Sequence, residues 1–224
     1  TSGSGLIIKF KGADLGVQVP LAGREGNVNN NVSIQALHID HKKNLWVFIA
    51  GLGLYRYDYN TKQLKPVNAS IGFLSVTKML TDGAENLWLG TSTGLVKYSI
   101  LKGQVTAEYT AGPGQLSVNS LSSLCLDKMG RLWIGTDGGG VDVLDTRTGS
   151  VSHLDKESKP TRLSSKTVHT IFIDKEQRKW IGTNKGGINI IDASVNIFNT
   201  VRSGGAYPDL SNNFITSFFE DRQS

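Results

Sequence analysis

The feature that most constrains this chain is a sequence unit that returns four times around a tryptophan. The tryptophans are separated by 42, 45 and 47 residues, and they are Trp46, Trp88, Trp133 and Trp180. An aspartate stands six residues before each of them, namely Asp40, Asp82, Asp127 and Asp174. Self-similarity at a period of about 40–50 residues is the signature of repeat architectures. The chain is therefore expected to fold as an array of similar supersecondary units.

Each repeat contains four short apolar segments. In the third repeat they are LSSLCLD (Leu121–Asp127), LWIGT (Leu132–Thr136), VDVLD (Val141–Asp145) and the weaker VSHLD (Val151–Asp155). Turns rich in glycine, aspartate and asparagine separate them, and no segment has the 3.6-residue period of a helix. Short strands with regular turns predict an all-β fold. Four antiparallel strands in a repeat of this length predict the blades of a β-propeller.

Partial repeats occupy both ends of the chain. TSGSGL (Thr1–Leu6) matches TDGGGV (Thr136–Val141), and LSNNFITSFFED (Leu210–Asp221) matches LSVNSLSSLCLD (Leu116–Asp127). We therefore expect residues 1–224 to form a single propeller segment of about four complete blades plus two half blades, at 1–30 and 205–224. The split repeat lacks its tryptophan strand. These residues are thus expected not to close a ring themselves but to be a fragment of a larger, seven-bladed propeller.

The regularity of the tryptophans and aspartates favours a structural role for them. Tryptophan supplies a large apolar area with few rotatable bonds, so Trp133 and Trp180 are predicted to lie buried between adjacent blades. The aspartates are predicted to cap the turns that precede the tryptophan strands, because a catalytic residue would more often occur once.

Composition excludes several classes of function. The formal net charge is +5, but the basic residues are scattered, whereas nucleic-acid binding requires them to cluster. The single cysteine, Cys125, rules out an intrachain disulfide and is predicted to be a small buried hydrophobe. No run of about 20 apolar residues is present. Any contact with a membrane is therefore expected to be made through other segments of the parent protein.

No motif predicts catalysis, a metal or a cofactor. The histidines are His38, His41, His153 and His169, and they lack metal-ligand spacing. His38 and His169 lie in predicted inner strands, where a histidine is more often a satisfied core or channel residue. The glycine-rich Thr136–Gly140 lacks the lysine of a phosphate loop and precedes a strand instead of a helix.

Binding is more plausible on one rim of the predicted propeller. The loops between second and third strands share that rim with the loops that lead into each first strand. Planar polar side chains and aromatic rings, which suit sugars, occur in these loops. The candidates are Asp137, Arg162, Asn184, Lys185, Tyr207 and Asn213. Each of them, taken alone, is explained as well by the general polarity of loops.

The segments Leu116–Gly149, Leu163–Asp192 and Leu210–Asp221 follow the pattern LS-x-N-x-x-[VIL], then D-x-x-G-x-LWIGT, then GG-[LIV]-x-x-[YL]-D. This pattern resembles the two-component regulator propeller repeat. The first two repeats are degenerate, with Phe48 and Ile49 in place of Gly-Thr and a shortened turn after Trp88.

The resemblance implies a sensor region of a hybrid two-component histidine kinase of Bacteroidetes. It further implies a periplasmic location, an oligosaccharide as the ligand, and consecutive propellers followed by a membrane span and a kinase in the parent protein. A homodimer is compatible with that architecture. The segment itself is then expected to be non-catalytic.

Two other functions stay open. One is a propeller lyase or hydrolase, for which the discriminating feature would be a unique pair of histidine and acid on one rim. The sequence offers no clear pair of this kind. The other is a protein-interaction scaffold like the WD-repeat propellers, but these carry a Trp-Asp dipeptide at the third strand, and none occurs here.

Overall fold

The computed structural model describes residues 5–9, 11–12, 14–22, 32–72, 74–83, 85–154, 162–192, 197–204 and 210–220. The regular elements in these ranges are 18 β-strands, and none is a helix. The strands form four four-stranded sheets, one for each tryptophan repeat, and a two-stranded hairpin. The predicted all-β fold with blades of four strands is therefore confirmed.

Strands follow the repeats in chain order. The first half repeat supplies the hairpin of β1 (Ile7–Ile8) and β2 (Val17–Gln18). The first repeat contains β3 (Ile34–Ile39), β4 (Leu45–Ile49), β5 (Gly53–Asp58) and β6 (Gln63–Asn68). The second contains β7 (Val76–Thr81), β8 (Asn86–Thr91), β9 (Gly94–Ser99) and β10 (Gln104–Tyr109). The third contains β11 (Leu121–Leu126), β12 (Arg131–Thr136), β13 (Val141–Asp145) and β14 (Val151–Leu154). The fourth contains β15 (Val168–Ile173), β16 (Lys179–Thr183), β17 (Gly187–Asp192) and β18 (Ile197–Val201).

The chain divides into two compact parts. The first part comprises residues 1–89 and 97–107, and the second comprises 90–96 and 108–224. The first repeat lies in the first part, and the third and fourth repeats lie in the second. The strands of the second repeat are shared between both parts.

Each aspartate that precedes a tryptophan binds the indole as well as its own turn. Asp127 Oδ1 accepts hydrogen bonds from the turn amides of Met129 and Arg131, both at 2.9 Å. The other carboxylate oxygen accepts from the indole N–H. This bond measures 3.0 Å for Asp40–Trp46, 3.3 Å for Asp82–Trp88, 3.0 Å for Asp127–Trp133 and 2.8 Å for Asp174–Trp180. The six-residue spacing is therefore the span of a hairpin that brings carboxylate and indole together.

The Gly-Thr that follows a tryptophan organises the next turn. Thr136 Oγ1 donates to the carbonyl of Gly140 at 2.9 Å, and Thr183 Oγ1 donates to the carbonyl of Gly187 at the same distance. Both threonines are completely buried. Gly187 has a φ of 74°, a conformation that other residues rarely adopt. The hydroxyl thus fixes a glycine turn from inside the sheet.

The burial of the tryptophans differs along the chain. Trp46, Trp88 and Trp133 expose 2%, 0% and 6% of their surface. Trp133 packs with Val168, Ile171 and other side chains of the fourth repeat, and Lys179 Nζ lies 5.3 Å from the centre of its ring.

Trp180 differs from the buried position predicted for it. It is half-buried and lines a groove of about 340 Å³ with Phe172 and the exposed Phe219. The segment 210–220 lies beside it, and no strand occurs in that segment. No strand of a following repeat therefore covers the Trp180 indole within the described part of the chain.

The first strand of a repeat is the edge of its sheet, and side chains of the preceding repeat bind its backbone. The pairs are Val76 N to Gln35 Oε1 at 3.1 Å, Thr81 N to His38 Nε2 at 3.1 Å, and Ile171 N to Ser123 Oγ at 2.9 Å. Burial lowers the pKa of His38 and outweighs the opposite effect of the Asp40 carboxylate, so the ring is neutral and can accept at Nε2. Edge amides that would otherwise lack acceptors are thereby satisfied.

Candidate functional site

A buried carboxylate organises the loop end of the third repeat. Asp142 in β13 is completely buried. Its Oδ2 accepts hydrogen bonds from the backbone N–H of Ser117 at 2.9 Å and from the Ser117 hydroxyl at 3.0 Å. Its Oδ1 lies 2.7 Å from Nδ1 of His153, the residue that faces it across the β13–β14 ladder. One side chain therefore holds both the loop that leads into the repeat and the histidine of the fourth strand.

The fourth repeat contains a neutral version of the same arrangement. Asn189 in β17 is also completely buried. Its Oδ1 accepts from the N–H of Ser164 at 3.0 Å, and its Nδ2 donates to the Ser164 hydroxyl at 2.7 Å. Thr200 in β18 donates to Asn189 Oδ1 at 3.3 Å, in the place of the histidine. Both repeats therefore use a buried side chain of the third strand to anchor the entry loop. Of the two, only the third repeat uses an aspartate paired with a histidine.

The pair of Asp142 and His153 has a chemical capacity that the neutral version lacks. When the imidazole donates its Nδ1 proton to the carboxylate, its Nε2 is left as an acceptor. The His153 side chain is 39% exposed, so a ligand can reach it. A carboxylate-oriented imidazole can bind a hydroxyl group of a ligand or act as a general base. The sequence showed no clear pair of histidine and acid, and the structure corrects this.

Three of the candidates lie at the same end of the third and fourth repeats. Asp137 is exposed, and its backbone pairs with Thr167. Asn184 binds the same Thr167 through its backbone N–H at 2.9 Å, and its Oδ1 is buried with no hydrogen-bond partner among the described residues. The exposed Lys185 follows, with a φ of 58°. The structure thus places Asp137 and Asn184 on either side of Thr167.

The remaining candidates are arranged differently. Arg162 is exposed on the segment that leads into the fourth repeat. Asn213 is held in place by the turn before β17, because its backbone carbonyl accepts from Gly187 N at 3.0 Å and its Oδ1 accepts from Ser203 N at 2.7 Å. Tyr207 lies outside the described residues.

Metal-ligand clusters and long apolar helices are both absent from the described residues. No group of three or more histidine, cysteine, aspartate or glutamate side chains is close enough to hold a metal ion there. In the same ranges no helix has the length and apolar character needed to cross a bilayer.

The blades and their polar rim define the chain as part of a β-propeller, and known structures agree. The extracellular domain assigned to the hybrid two-component system BT3049 of B. thetaiotaomicron is 22% identical over 89% of this chain, with a TM-score of 0.67. PorZ, a surface component of the type-IX secretion system of Porphyromonas gingivalis, is 18% identical over 88%, with a TM-score of 0.62. Virginiamycin B lyase from Staphylococcus aureus is 14% identical over 77%, with a TM-score of 0.57.

Residues 115–138 match the family described as "Two component regulator propeller". The chain therefore carries a repeat of this family, and the resemblance inferred from the sequence is confirmed. No curated protein matches the chain. The chain spans only 26% of the BT3049 domain, 31% of PorZ and 56% of the lyase.

Proposed function

We propose that this chain is part of the sensor region of a hybrid two-component system and that its loop rim binds an oligosaccharide outside the cytoplasm. The observation that carries the proposal is the polar rim of the third repeat, which is also the repeat that matches the two-component regulator family. The likeness to an extracellular domain assigned to such a system supports it. In the parent protein, a histidine kinase would receive the signal from the periplasm.

The rim provides the groups that a sugar needs. Asp137 and Lys185 are exposed, and the His153 side chain is partly exposed, whereas the buried amide oxygen of Asn184 has no partner among the described residues. A sugar hydroxyl both donates and accepts, so it can bind a carboxylate, an amide oxygen or an imidazole nitrogen. Asp142 and Asn189 anchor the loops that lead into their repeats, and the amides of Asp137 and Asn184 donate to those loops at Ser120 and Thr167. These contacts hold the turns in place before the ligand arrives, which reduces the entropy lost on binding.

Binding can be tested by titrating the purified chain with a panel of neutral oligosaccharides in a calorimeter. We expect at least one to bind and the double variant Asp137→Ala with Asn184→Ala to weaken it at least tenfold. Asn60→Ala, an exposed asparagine in the β5–β6 turn, is the matched control and should bind normally. Equal binding by the rim variant and the control would contradict the proposed site.

A catalytic function is the second candidate, and the pair of Asp142 and His153 favours it. The fold it shares with virginiamycin B lyase shows that a propeller can carry a lyase. The same panel, analysed for cleavage products by mass spectrometry, separates the two functions. Under the sensor proposal every oligosaccharide that binds is recovered intact. Cleavage that is abolished by His153→Ala would establish an enzyme instead.

A further inference from the structure

A cation lies over the indole ring of every tryptophan repeat. The distances to the ring centre are 5.9 Å for Arg56 over Trp46, 5.2 Å for Lys97 over Trp88, 5.8 Å for Arg131 over Trp133 and 5.6 Å for Arg178 over Trp180. In the third and fourth repeats the guanidinium is also neutralised. Arg131 Nε donates to Asp127 at 2.8 Å, and Arg178 Nε donates to Asp174 at 2.6 Å.

In the first repeat the cation over the indole comes from β5 instead of the tryptophan strand, and no carboxylate forms an ion pair with it. Asn44 stands where the third and fourth repeats have arginine, and its Nδ2 donates to Asp40 at 2.8 Å, as that of Asn86 does to Asp82 in the second repeat. Arg56 comes from β5, where it faces Trp46 across the ladder. Its guanidinium forms no hydrogen bond or ion pair with the side chain of any other described residue. In the third and fourth repeats the residue that faces the tryptophan is apolar, Val143 or Ile190.

Arg56 lines a cavity of about 210 Å³ at the end of the first repeat that carries the turn between β3 and β4. Lys42 and His41 contribute to the same wall, and Ile100 provides an apolar surface. Asp40 also lines the cavity, but its Oδ2 is taken by Asn44 and Trp46.

No ion pair joins the Asp40 carboxylate to the Arg56 guanidinium in the structure, and both Asp40 oxygens already accept hydrogen bonds from Asn44 or Trp46. Burial raises the pKa of Asp40, yet hydrogen bonds from Trp46 and Asn44 outweigh it and hold the pKa below its ordinary value. The carboxylate is therefore ionised and already bound. The cavity wall thus contains two basic side chains, Lys42 and Arg56, and one acidic side chain, Asp40.

In the third repeat the corresponding turn is hydrogen-bonded to the turn of the fourth repeat. Lys128 donates through its backbone N–H to Gln177 Oε1 at 3.0 Å and through Nζ to the carbonyl of Lys175 at 3.4 Å. Lys179 covers the Trp133 ring. Hydrogen bonds thus join the neighbouring turns at the third repeat, whereas a basic cavity lies beside the turn of the first.

We propose that this cavity binds the carboxylate or sulfate group of an acidic saccharide, at a site separate from the loop rim. The saccharide part rests on the proposed sensor function. A guanidinium presents paired N–H groups that match the geometry of an oxyanion, and stacking on Trp46 holds its plane in position. Ile100 would contact the apolar face of the sugar ring. The Lys42 ammonium would add a positive charge that attracts the oxyanion without requiring a particular orientation of it.

The test is a calorimetric titration of the whole chain with glucuronate, with glucose and with inorganic sulfate. We expect glucuronate to bind more tightly than sulfate, glucose not to bind at this site, and the affinity for glucuronate to fall as salt is added. Arg56→Gln should weaken glucuronate binding at least tenfold, while the exposed Arg147→Gln should not change it. Absence of glucuronate binding, or equal binding by Arg56→Gln, would overturn the proposal.

Two further variants separate the possible causes of failure. Lys42→Ala leaves the cation over Trp46 in place, so it tests the cavity even where Arg56→Gln does not fold, and it should weaken glucuronate binding severalfold. The rim variant Asp137→Ala with Asn184→Ala should leave glucuronate binding intact. If the rim variant abolished it, the acidic saccharide would bind at the loop rim and the cavity would have no role. Sulfate binding as tightly as glucuronate would contradict recognition of a sugar.

Discussion

His153 Nδ1 lies 2.7 Å from Oδ1 of Asp142, a carboxylate that is completely shielded from solvent. The same carboxylate holds Ser117 by two hydrogen bonds through its other oxygen. The histidine and the entry loop of the third repeat are therefore coupled through one residue, and a change at either side of Asp142 is expected to affect the other.

Removing the Asp142 carboxylate should lower the free energy of unfolding more than replacing both Asp142 and His153 by neutral residues that keep the hydrogen bonds. Asp142→Ala leaves the Ser117 amide without its acceptor, and a buried polar group that loses its partner costs about 1–3 kcal/mol. The double variant Asp142→Asn with His153→Thr copies the neutral pair of Asn189 and Thr200. Its free energy of unfolding should therefore decrease much less than that of Asp142→Ala. Urea unfolding measures both. A larger loss for the double variant would contradict the equivalence of the two sites.

The two tryptophans of the second part of the chain should differ in their contribution to stability. Trp133→Ala empties a packed site between strands of two repeats and should cost roughly 3–5 kcal/mol. Trp180→Ala removes a side chain that is already half exposed, so its cost should be clearly smaller. Both variants lose one indole–carboxylate bond, which makes them a matched pair. Chemical denaturation gives the two values, and a cost below about 1 kcal/mol for Trp133→Ala would contradict its packed position.

The turn aspartates predict how stability depends on pH. Burial raises the pKa of Asp127, but hydrogen bonds from Trp133 and Arg131 outweigh it, and the net pKa lies below the ordinary value of 3.8. A carboxylate with a depressed native pKa binds fewer protons when folded. Its contribution is therefore complete above the unfolded pKa and is lost as the pH falls through the native one.

The free energy of unfolding should accordingly be insensitive to this group from neutrality down to about pH 5 and fall below about pH 4. Asp127→Asn should be less stable at pH 7 and show a shallower fall in acid. The measurement is urea unfolding at a series of pH values. Parallel curves for the variant and the natural protein would show that Asp127 is not responsible.

Two glycines with positive φ should respond differently to alanine. Gly187 has a φ of 74°, and an added Cβ would collide with the carbonyl of Val201. Gly138 has a φ of 105°, but nothing lies within 4 Å of the position of its Cβ. Gly187→Ala therefore adds a steric clash to the backbone strain of about 1–3 kcal/mol that both variants share. Thermal unfolding should show the larger decrease in Tm for Gly187→Ala.

The fold was predictable because the information that specifies it is periodic. The spacing of the tryptophans fixed the number of four-stranded sheets, and the aspartate six residues earlier marked each turn. The hydrogen bond between the aspartate and the tryptophan was harder to predict from the sequence. Packing alone explains the tryptophan, and turn capping alone explains the aspartate. The half-buried state of Trp180 depends on its neighbours in space, which the repeat pattern does not report.

The candidate site was only partly predictable. Asp137 and Asn184 follow from the loop positions of a propeller. Asp142 and His153 do not, because they meet only through the register of β13 with β14, and the fourth strand has the weakest sequence signal of the repeat. A comparison of Asp142 with Asn189, each nine residues after its tryptophan, was the available signal for an acid at a buried position.

The side chains that bind the edge amides of the following repeat also affect how such an array can change in length. Gln35, His38 and Ser123 each serve a backbone that belongs to the next unit. A duplicated repeat arrives with acceptors for its successor and with an edge that its predecessor can bind. Gain or loss of one whole repeat therefore disturbs these junctions less than a deletion of a few residues within a repeat does. Evolution of these chains is expected to proceed in steps of one complete unit.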